Sequence, residues 1–397
     1  MDDTRLTLIR DREETREVAP VELFFDLVYV FTVSQLSHNL VDDVSLRGMA
    51  QTLVLTLAVM YAWFMTVWTS NWLDVGRRQV QLVLLGLMFA SLLMATSLVE
   101  AFGSPFEALE IGDRAGLFVI GYLAIQLGRT AFAVRTFRGH RLHDHFANAL
   151  AWELGTAVLW VAGIFADPGA RLAIWGLAVA VTYGGVIAGH PLPSRRSPFS
   201  SDSQIYAEHL LERFRLFFLI ALGETVLTIG NVFANVPIEV ETVVALTAAF
   251  VGTVSLWWCY FHRAERVGIE ALTADTDASR LVAVGNYTLI AMVIGIVAIA
   301  VGDELALVDP SGSPSVAASA LVFGGPAIFL LAQLAFMRQA TGEAHRVCVA
   351  GFLALVILAL LTSPFSVLVT VIAASSVLLA VAVADSRVAN SSAVDSK

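Results

Sequence analysis

The sequence contains few charged residues and almost no cysteine. Only 15% of its 397 residues are charged, whereas a soluble domain has about 25%. This low charge, together with a hydrophobic fraction of 57%, excludes a disordered or coiled-coil chain and is unlike a soluble domain. The two cysteines, Cys259 and Cys348, lie in apolar runs, so neither a disulfide framework nor a thiolate metal site is predicted. The composition predicts a protein that crosses a membrane several times.

Several functional signatures are also missing. The sequence has no phosphate-binding Gly-x4-Gly-Lys-Ser/Thr loop, no His-Glu-x-x-His zinc helix and no Gly-x-Ser-x-Gly nucleophile turn. The net charge is −10, and no basic stripe of the kind that nucleic-acid binders carry is present. We therefore expect no catalytic residues, no metal, no cofactor and no nucleic-acid partner. The expected partners are membrane lipids and a small molecule or ion that the sequence does not identify.

Apolar runs long enough to form membrane-spanning helices recur along the chain. A helix needs about 20 apolar residues to cross about 30 Å of hydrocarbon. Twelve runs lie between clusters of charged or turn residues, at 21–40, 49–72, 79–100, 114–135, 146–165, 170–188, 209–233, 240–261, 280–302, 315–336, 346–362 and 365–384. The predicted fold is an all-α integral membrane protein with about twelve transmembrane helices.

Basic residues are distributed unequally between the two sides of this topology. The termini and the loops on their side hold 18 of the 24 Lys and Arg residues. The loops on the opposite side hold three, and the remaining three lie within helices. Because Lys and Arg are concentrated in cytoplasmic loops, both termini are predicted to be cytoplasmic.

The two halves of the chain resemble each other weakly. At an offset of 190 residues, Glu22, Phe24 and Trp68 match Glu212, Phe214 and Trp258, and an offset of 203 matches Glu100 and Arg135 with Asp303 and Arg338. Six helices per half would give two parallel pseudo-repeats, as in some secondary transporters; the alternative is chance matching between leucine-rich helices. The predicted organisation is a cytoplasmic segment 1–20, a first half 21–188, a cytoplasmic linker 189–208, a second half 209–384 and a cytoplasmic tail 385–397.

Charged residues inside predicted spans are the first functional candidates, because each costs roughly 2.5–3.5 kcal/mol to insert at the middle of a membrane. Glu22 and Asp26 are four residues apart, so they share one face of the first helix. An alternative role for Glu22 is that of an acid near the lipid headgroups. In the seventh helix His209, Arg213 and Glu224 share one face.

Glu212 lies beside that face, and Glu224 lies 12 residues further on, which is about 18 Å deeper. A carboxylate at that depth must pair, take up a proton or bind a cation. The alternative for Glu224 is a structural hydrogen bond between helices. Arg213 is predicted to meet Asp26 if the two halves face each other.

Two further features are predicted to be structural. Arg129 and Glu153 lie at matching depths on neighbouring helices, which favours a structural ion pair. Gly324, Gly325 and Pro326 lie in the middle of the tenth run, where a proline within a helix predicts a kink or a break. Broken helices form substrate sites in some transporters.

Three segments resemble the bacterial low temperature requirement A family. The first is Val21-Glu-Leu-Phe-Phe-Asp-Leu-Val-Tyr-Val-Phe31 together with Gln35-Leu-Ser-His38. The second is His209-Leu-Leu-Glu-Arg-Phe214 followed by Leu222-Gly-Glu224, and the third is Arg129-Thr-Ala-Phe132 with Arg135. The resemblance extends over nearly the whole chain, but Arg215 stands where family members often have glycine.

The resemblance implies a multi-pass protein of the bacterial inner membrane and a link to growth in the cold. It draws attention to Glu22, Asp26, His38, His209, Glu212, Arg213 and Glu224 as a substrate or proton site. The leading hypothesis is a secondary-transporter-like permease in which Glu224 takes up and releases a proton. The alternatives are a non-transporting protein that adapts lipid or envelope to cold, and a lipid-active enzyme that uses His209 and Glu212 as acid and base.

Overall fold

The chain folds into α-helices throughout the part that the structure describes. The structure is a computed structural model, and it describes residues 8–10, 18–103, 114–192, 206–264, 278–342, 344–361 and 365–395. The helices are α1 Pro20–Asp42, α2 Leu46–Ser70, α3 Arg78–Thr96, α4 Arg114–Thr136, α5 His143–Ile164, α6 Pro168–Ala188, α7 Ala207–Asn235, α8 Val240–Cys259, α9 Ala278–Val308, α10 Val316–Thr341, α11 Arg346–Leu361 and α12 Val367–Asp395. A π-helical turn, Tyr260–Ala264, extends α8. The all-α prediction is confirmed, and each predicted apolar run coincides with one helix.

Ten of the described helices are long and apolar enough to cross a membrane. The other two are α1, which carries the acids Glu22, Asp26 and Asp42, and α11, which has only 16 residues. The helices therefore support a multi-pass membrane protein. Twelve crossings and their arrangement as two parallel repeats stay a prediction.

Local sequence signals explain where individual helices begin and end. The Asp167 carboxylate accepts hydrogen bonds from the backbone N–H groups of Ala170 and Gly169 at the start of α6, and these bonds lower the pKa of this exposed acid. Pro168 occupies the first turn, where its missing N–H costs nothing. At the other end, Gly189 adopts a φ of 74°, the left-handed conformation that ends helices.

The described helices form two compact units. One contains Met1–Asn39 and Arg47–Arg213, and the other contains Leu40–Leu46 and Phe214–Lys397. The division falls inside α7, so His209 and Arg213 belong to the first unit and Glu224 belongs to the second. This division does not test the domain boundaries that the sequence predicts, and they stay a prediction.

An aromatic cluster fills much of the first unit between α4, α5 and α6. Tyr122 and Trp160 have ring centroids 4.7 Å apart, and Trp160 and Trp175 are 5.3 Å apart. Both tryptophans are completely buried. Gly163 lets Trp175 approach the backbone of α5, since any Cβ at that position would overlap the indole ring. This packing holds α5, which carries Glu153, against α4, which carries Arg129.

Helices α9 and α10 pack closely in the second unit because glycines remove the side chains between them. A Cβ added to Gly325 would lie 2.8 Å from the carbonyl oxygen of Gly295 and 2.9 Å from Ile299 Cγ1. A kink or a break was expected at Gly324, Gly325 and Pro326; the break is wrong, because α10 is continuous through Pro326, and the kink stays a prediction. Proline removes one backbone hydrogen bond, and the close contact with α9 holds the helix together across that gap.

Candidate functional site

The main cluster of buried charge in the first unit joins α1 to the first two turns of α7. Glu22 and Asp26 lie one turn apart on α1, and His209 and Arg213 lie one turn apart on α7. All four side chains are buried, with relative exposures of 0–8%. We call these four residues the charge cluster. It brings together four of the seven residues that the sequence placed in one site.

Arg213 is the centre of the charge cluster. Its Nη2 and Nε donate to the two oxygens of Asp26, with Nε 3.2 Å from Oδ2. Its Nη1 lies 3.3 Å from Glu22 Oε1 and 3.1 Å from Ser70 Oγ on α2. The planar guanidinium therefore bridges both acids, and its two-point contact with Asp26 is the geometry that arginine supplies and lysine does not. The predicted meeting of Arg213 and Asp26 is observed within this unit.

Neutral donors complete the coordination of the two carboxylates. His209 Nε2 lies 3.1 Å from Glu22 Oε2, which also accepts the backbone N–H of Ala19 at 3.1 Å. The indole Nε1–H of Trp63 donates to Asp26 Oδ1 at 2.7 Å. Each of the four carboxylate oxygens therefore has at least one partner, as buried acids require.

The charge of the cluster depends on His209. Two ionised carboxylates and one guanidinium leave a net charge of −1 if the imidazole is neutral. The cluster becomes neutral if His209 carries a proton or if one monovalent cation binds. A site of this composition can therefore take up one positive charge.

A second charged pair lies between α4 and α5 of the same unit. Arg129 and Glu153 form the expected ion pair, and both side chains are buried. Arg129 also donates to Gln126 Oε1 and to Thr130 Oγ1. Glu153 Oε2 and Gln126 Nε2 have no hydrogen-bond partner in the described part of the chain. These two atoms can therefore form further hydrogen bonds.

A small cavity separates the charge cluster from the second pair. Its polar lining comes from Thr66, Thr69 and Ser70 on α2 and from Arg129 on α4. The volume of about 10 Å³ is close to what one water molecule needs. Ser70, which accepts from Arg213, and Arg129, which pairs with Glu153, both line this cavity.

The remaining predicted site residues are His38, Glu212 and Glu224. His38 is exposed near the end of α1, about 24 Å along the helix from Glu22 at the normal helical rise. Glu212 is half-buried beside Arg213. Glu224, in the second unit, is half-buried, and Thr228 Oγ1 lies 3.5 Å from its Oε1.

Sequence reasoning missed the neutral partners of the charge cluster and one buried arginine. Trp63 and Ser70 are seven residues apart and so share a face of α2, and this spacing was the available signal. Arg171 was counted as a loop residue, but its side chain is completely buried. It donates to backbone carbonyls at the end of α5, among them Gly163 O at 3.0 Å and Ile164 O at 3.1 Å. Through these hydrogen bonds Arg171 joins the start of α6 to the end of α5.

Comparison with known proteins agrees with the sequence motifs. A family model described as bacterial low temperature requirement A protein matches residues 17–384. An uncharacterised protein of Rhizobium meliloti (strain 1021) is 34% identical over 325 residues, which are 80% of this chain and 76% of the relative. The chain matches no solved structure. The family match includes the charge cluster and the Arg129–Glu153 pair, and it shows that the chain belongs to the bacterial low temperature requirement A family.

Proposed function

We propose that the protein is a permease-like secondary transporter of the bacterial inner membrane, with both termini in the cytoplasm. In this proposal the charge cluster of Glu22, Asp26, His209 and Arg213 binds the transported ion or a small polar solute. The observation that carries the proposal is the burial of four ionisable side chains where α1 meets α7. Ionisable residues within membrane helices are rare and commonly mark ion and substrate pathways.

Stability alone is a weak explanation for such a cluster. Replacing a buried ion pair with apolar residues of similar volume is often neutral or stabilising by about 1–4 kcal/mol. A protein that needed only to join α1 to α7 would do so with apolar packing. We infer that the charges serve binding, because a charged or polar ligand needs buried partners of opposite charge.

The charge balance favours a cation or a proton as the coupling ion. With neutral His209, the cluster lacks one positive charge, and uptake of a proton or a monovalent cation supplies it. Glu224 is the second carboxylate in the proposal, because it is half-buried within a membrane-type helix. Its protonation would alternate with ligand binding, as in proton-coupled carriers that use intramembrane acids.

Two other functions predict different behaviour. A non-transporting protein that adapts the membrane to cold would bind lipids but no soluble ligand through the charge cluster. A lipid-active enzyme would need a nucleophile or a metal near His209 and Glu212, and we assign no catalytic activity to the chain. The link to growth in the cold comes from the family and is part of this proposal.

A thermal-shift screen of the detergent-purified protein tests the proposal. The panel contains monovalent and divalent cations, amino acids, nucleosides, flavins and lipids, and it is run on wild type and on E22Q, E224Q and E208Q. Glu208 is exposed one residue before His209, so E208Q is a matched control. A ligand at 100 times its Kd stabilises the folded state by about 2.7 kcal/mol.

The expected result is stabilisation of wild type and E208Q by one soluble compound or ion, with loss of the shift in E22Q. If the ligand-induced shift is also lost in E224Q, Glu224 takes part in the mechanism as the second carboxylate. Stabilisation by lipids alone, equal in all four proteins, would contradict transport and favour membrane adaptation.

A further inference from the structure

A lone acid lies buried in the second unit. Asp303 on α9 is 4% exposed, and its Oδ2 has no hydrogen-bond partner in the described part of the chain. The residues around it in the helix, Val301, Ala306 and Leu307, are also buried. The sequence placed Asp303 just beyond the end of a span, but α9 continues to Val308.

Close packing of α9 on α10 explains why Asp303 is buried. A Cβ on the preceding residue, Gly302, would lie 2.9 Å from Val322 Cγ2. Gly295 and Gly325 make the same kind of close approach two turns away. Asp303 follows Gly302 directly and is buried where the two helices approach each other.

The described stretches of two helices that pack against α9 carry no charged group over most of their length. Within α10 no ionisable residue occurs between 316 and 337, and within α12 none occurs between 367 and 384. The charged residue within Val240–Cys259 of α8 is Glu241, and His262 and Arg263 follow in the π-helical turn. The charged residues near Asp303 in sequence are Glu304 and Asp309, both acids. Arg280, the basic residue of α9, is 23 residues away, about 35 Å along the helix.

We propose that Asp303 is a proton-binding site whose carboxyl group is a neutral acid at neutral pH. An isolated ionised carboxylate in an apolar environment is so costly that the group takes up a proton instead. Asp26 is equally buried, but Arg213 and Trp63 stabilise its ionised form. The ligand of the Asp303 site is therefore a proton, which leaves when water or a cation reaches the carboxyl.

This proposal does not depend on the transport hypothesis. A protonated Asp303 is a property of the folded second unit, whether or not the chain carries a solute. If the protein is a transporter, Asp303 supplies an exchangeable proton in addition to those that the proposed function assigns to the charge cluster and to Glu224.

Infrared spectroscopy of the purified full-length protein tests the protonation state directly. At neutral pH wild type should show the C=O stretching band of a protonated carboxylic acid. D303N should lose this band, and the matched variant D26N should retain it. Equal band intensity in wild type and D303N, or loss of the band only in D26N, would overturn the proposal.

Labelling with dicyclohexylcarbodiimide gives a second readout that needs no variant. The reagent reacts with a protonated carboxyl: the carboxyl oxygen bonds to the central carbon of the carbodiimide, the proton moves to a nitrogen, and no group leaves. Peptide mass spectrometry should find the adduct on Asp303, not on Asp26, and labelling should decline as the pH is raised. An adduct on Asp26 at the level of Asp303, or pH-independent labelling, would contradict the assignment.

Discussion

The two units bury the same type of residue in different ways. Asp26 in the first unit is 0% exposed and Asp303 in the second is 4% exposed. Asp26 receives hydrogen bonds from an arginine and a tryptophan, whereas Asp303 Oδ2 has no hydrogen-bond partner in the described part of the chain. Burial alone therefore does not decide whether an acid is charged, and the cation in contact with it does. The difference leads us to expect a charged binding site in the first unit and a neutral proton site in the second.

Removal of Arg213 should have the largest effect on stability. R213A leaves Glu22 and Asp26 buried without their cation, and breaking a buried pair in this way costs about 3–5 kcal/mol. We expect a large fall in the Tm of the purified protein. The control R215A removes a half-buried arginine two residues further along α7 and should cost far less. Equal Tm values for R213A and wild type would show that the acids are not held as charged partners.

His190, in the first unit, is a buried ionisable group that is held in its neutral form, as we propose for Asp303. It is 3% exposed, and burial together with the nearby Arg129 charge lowers its pKa to about 4. In the unfolded chain a histidine binds its proton near pH 6.5, so the stability that depends on neutral His190 is complete above pH 6.5. It is lost as the pH falls toward 4, by up to about 3 kcal/mol.

The variant H190N isolates this contribution. His190 has a φ of 52°, a conformation that asparagine tolerates better than most residues. The Tm of H190N should fall less steeply than that of wild type between pH 6.5 and 4. Parallel profiles for the two proteins would assign the acid sensitivity to other groups.

Close packing of α9 on α10 should show a smaller effect. G325A places a methyl group against Gly295 O and Ile299, and we expect a loss of about 1–2 kcal/mol from overpacking. G324A is the matched control, because a Cβ there has no neighbour within 4 Å. Chemical denaturation of both variants in the same detergent measures the difference. Equal stabilities would show that α9 and α10 do not need this contact, and the stated reason for the burial of Asp303 would fail.

The smallest expected change in stability is that of D303N, and its comparison with D26N distinguishes the neutral from the charged aspartate. D303N replaces a neutral acid with a neutral amide of the same shape, so its stability should change by less than about 1 kcal/mol. D26N removes one charge from the Arg213 contact and should cost more, about 1–3 kcal/mol. A D303N variant that is less stable than D26N would reverse the assignment of charged and neutral acids.

The sequence predicted elements and depths better than it predicted local surroundings. Apolar run lengths placed all the described helices, and helical rise placed Arg129 beside Glu153. The sequence did not identify Asp303, because α9 continues past its apolar run and buries a residue that a shorter helix would leave in a loop. It also predicted a break at Pro326, whereas packing of Gly325 on α9 keeps α10 continuous. These differences arise from contacts between helices, which apolar periodicity in a single chain does not specify.

The central claim is that the charge cluster is a binding site and not a structural link between two helices. The most direct measurement is the ligand-induced thermal shift in wild type, E22Q and E208Q, using the soluble compound or ion that stabilises wild type most strongly. The account predicts the same shift in wild type and E208Q and none in E22Q. A shift of equal size in all three proteins would contradict it, because the ligand would then bind without Glu22.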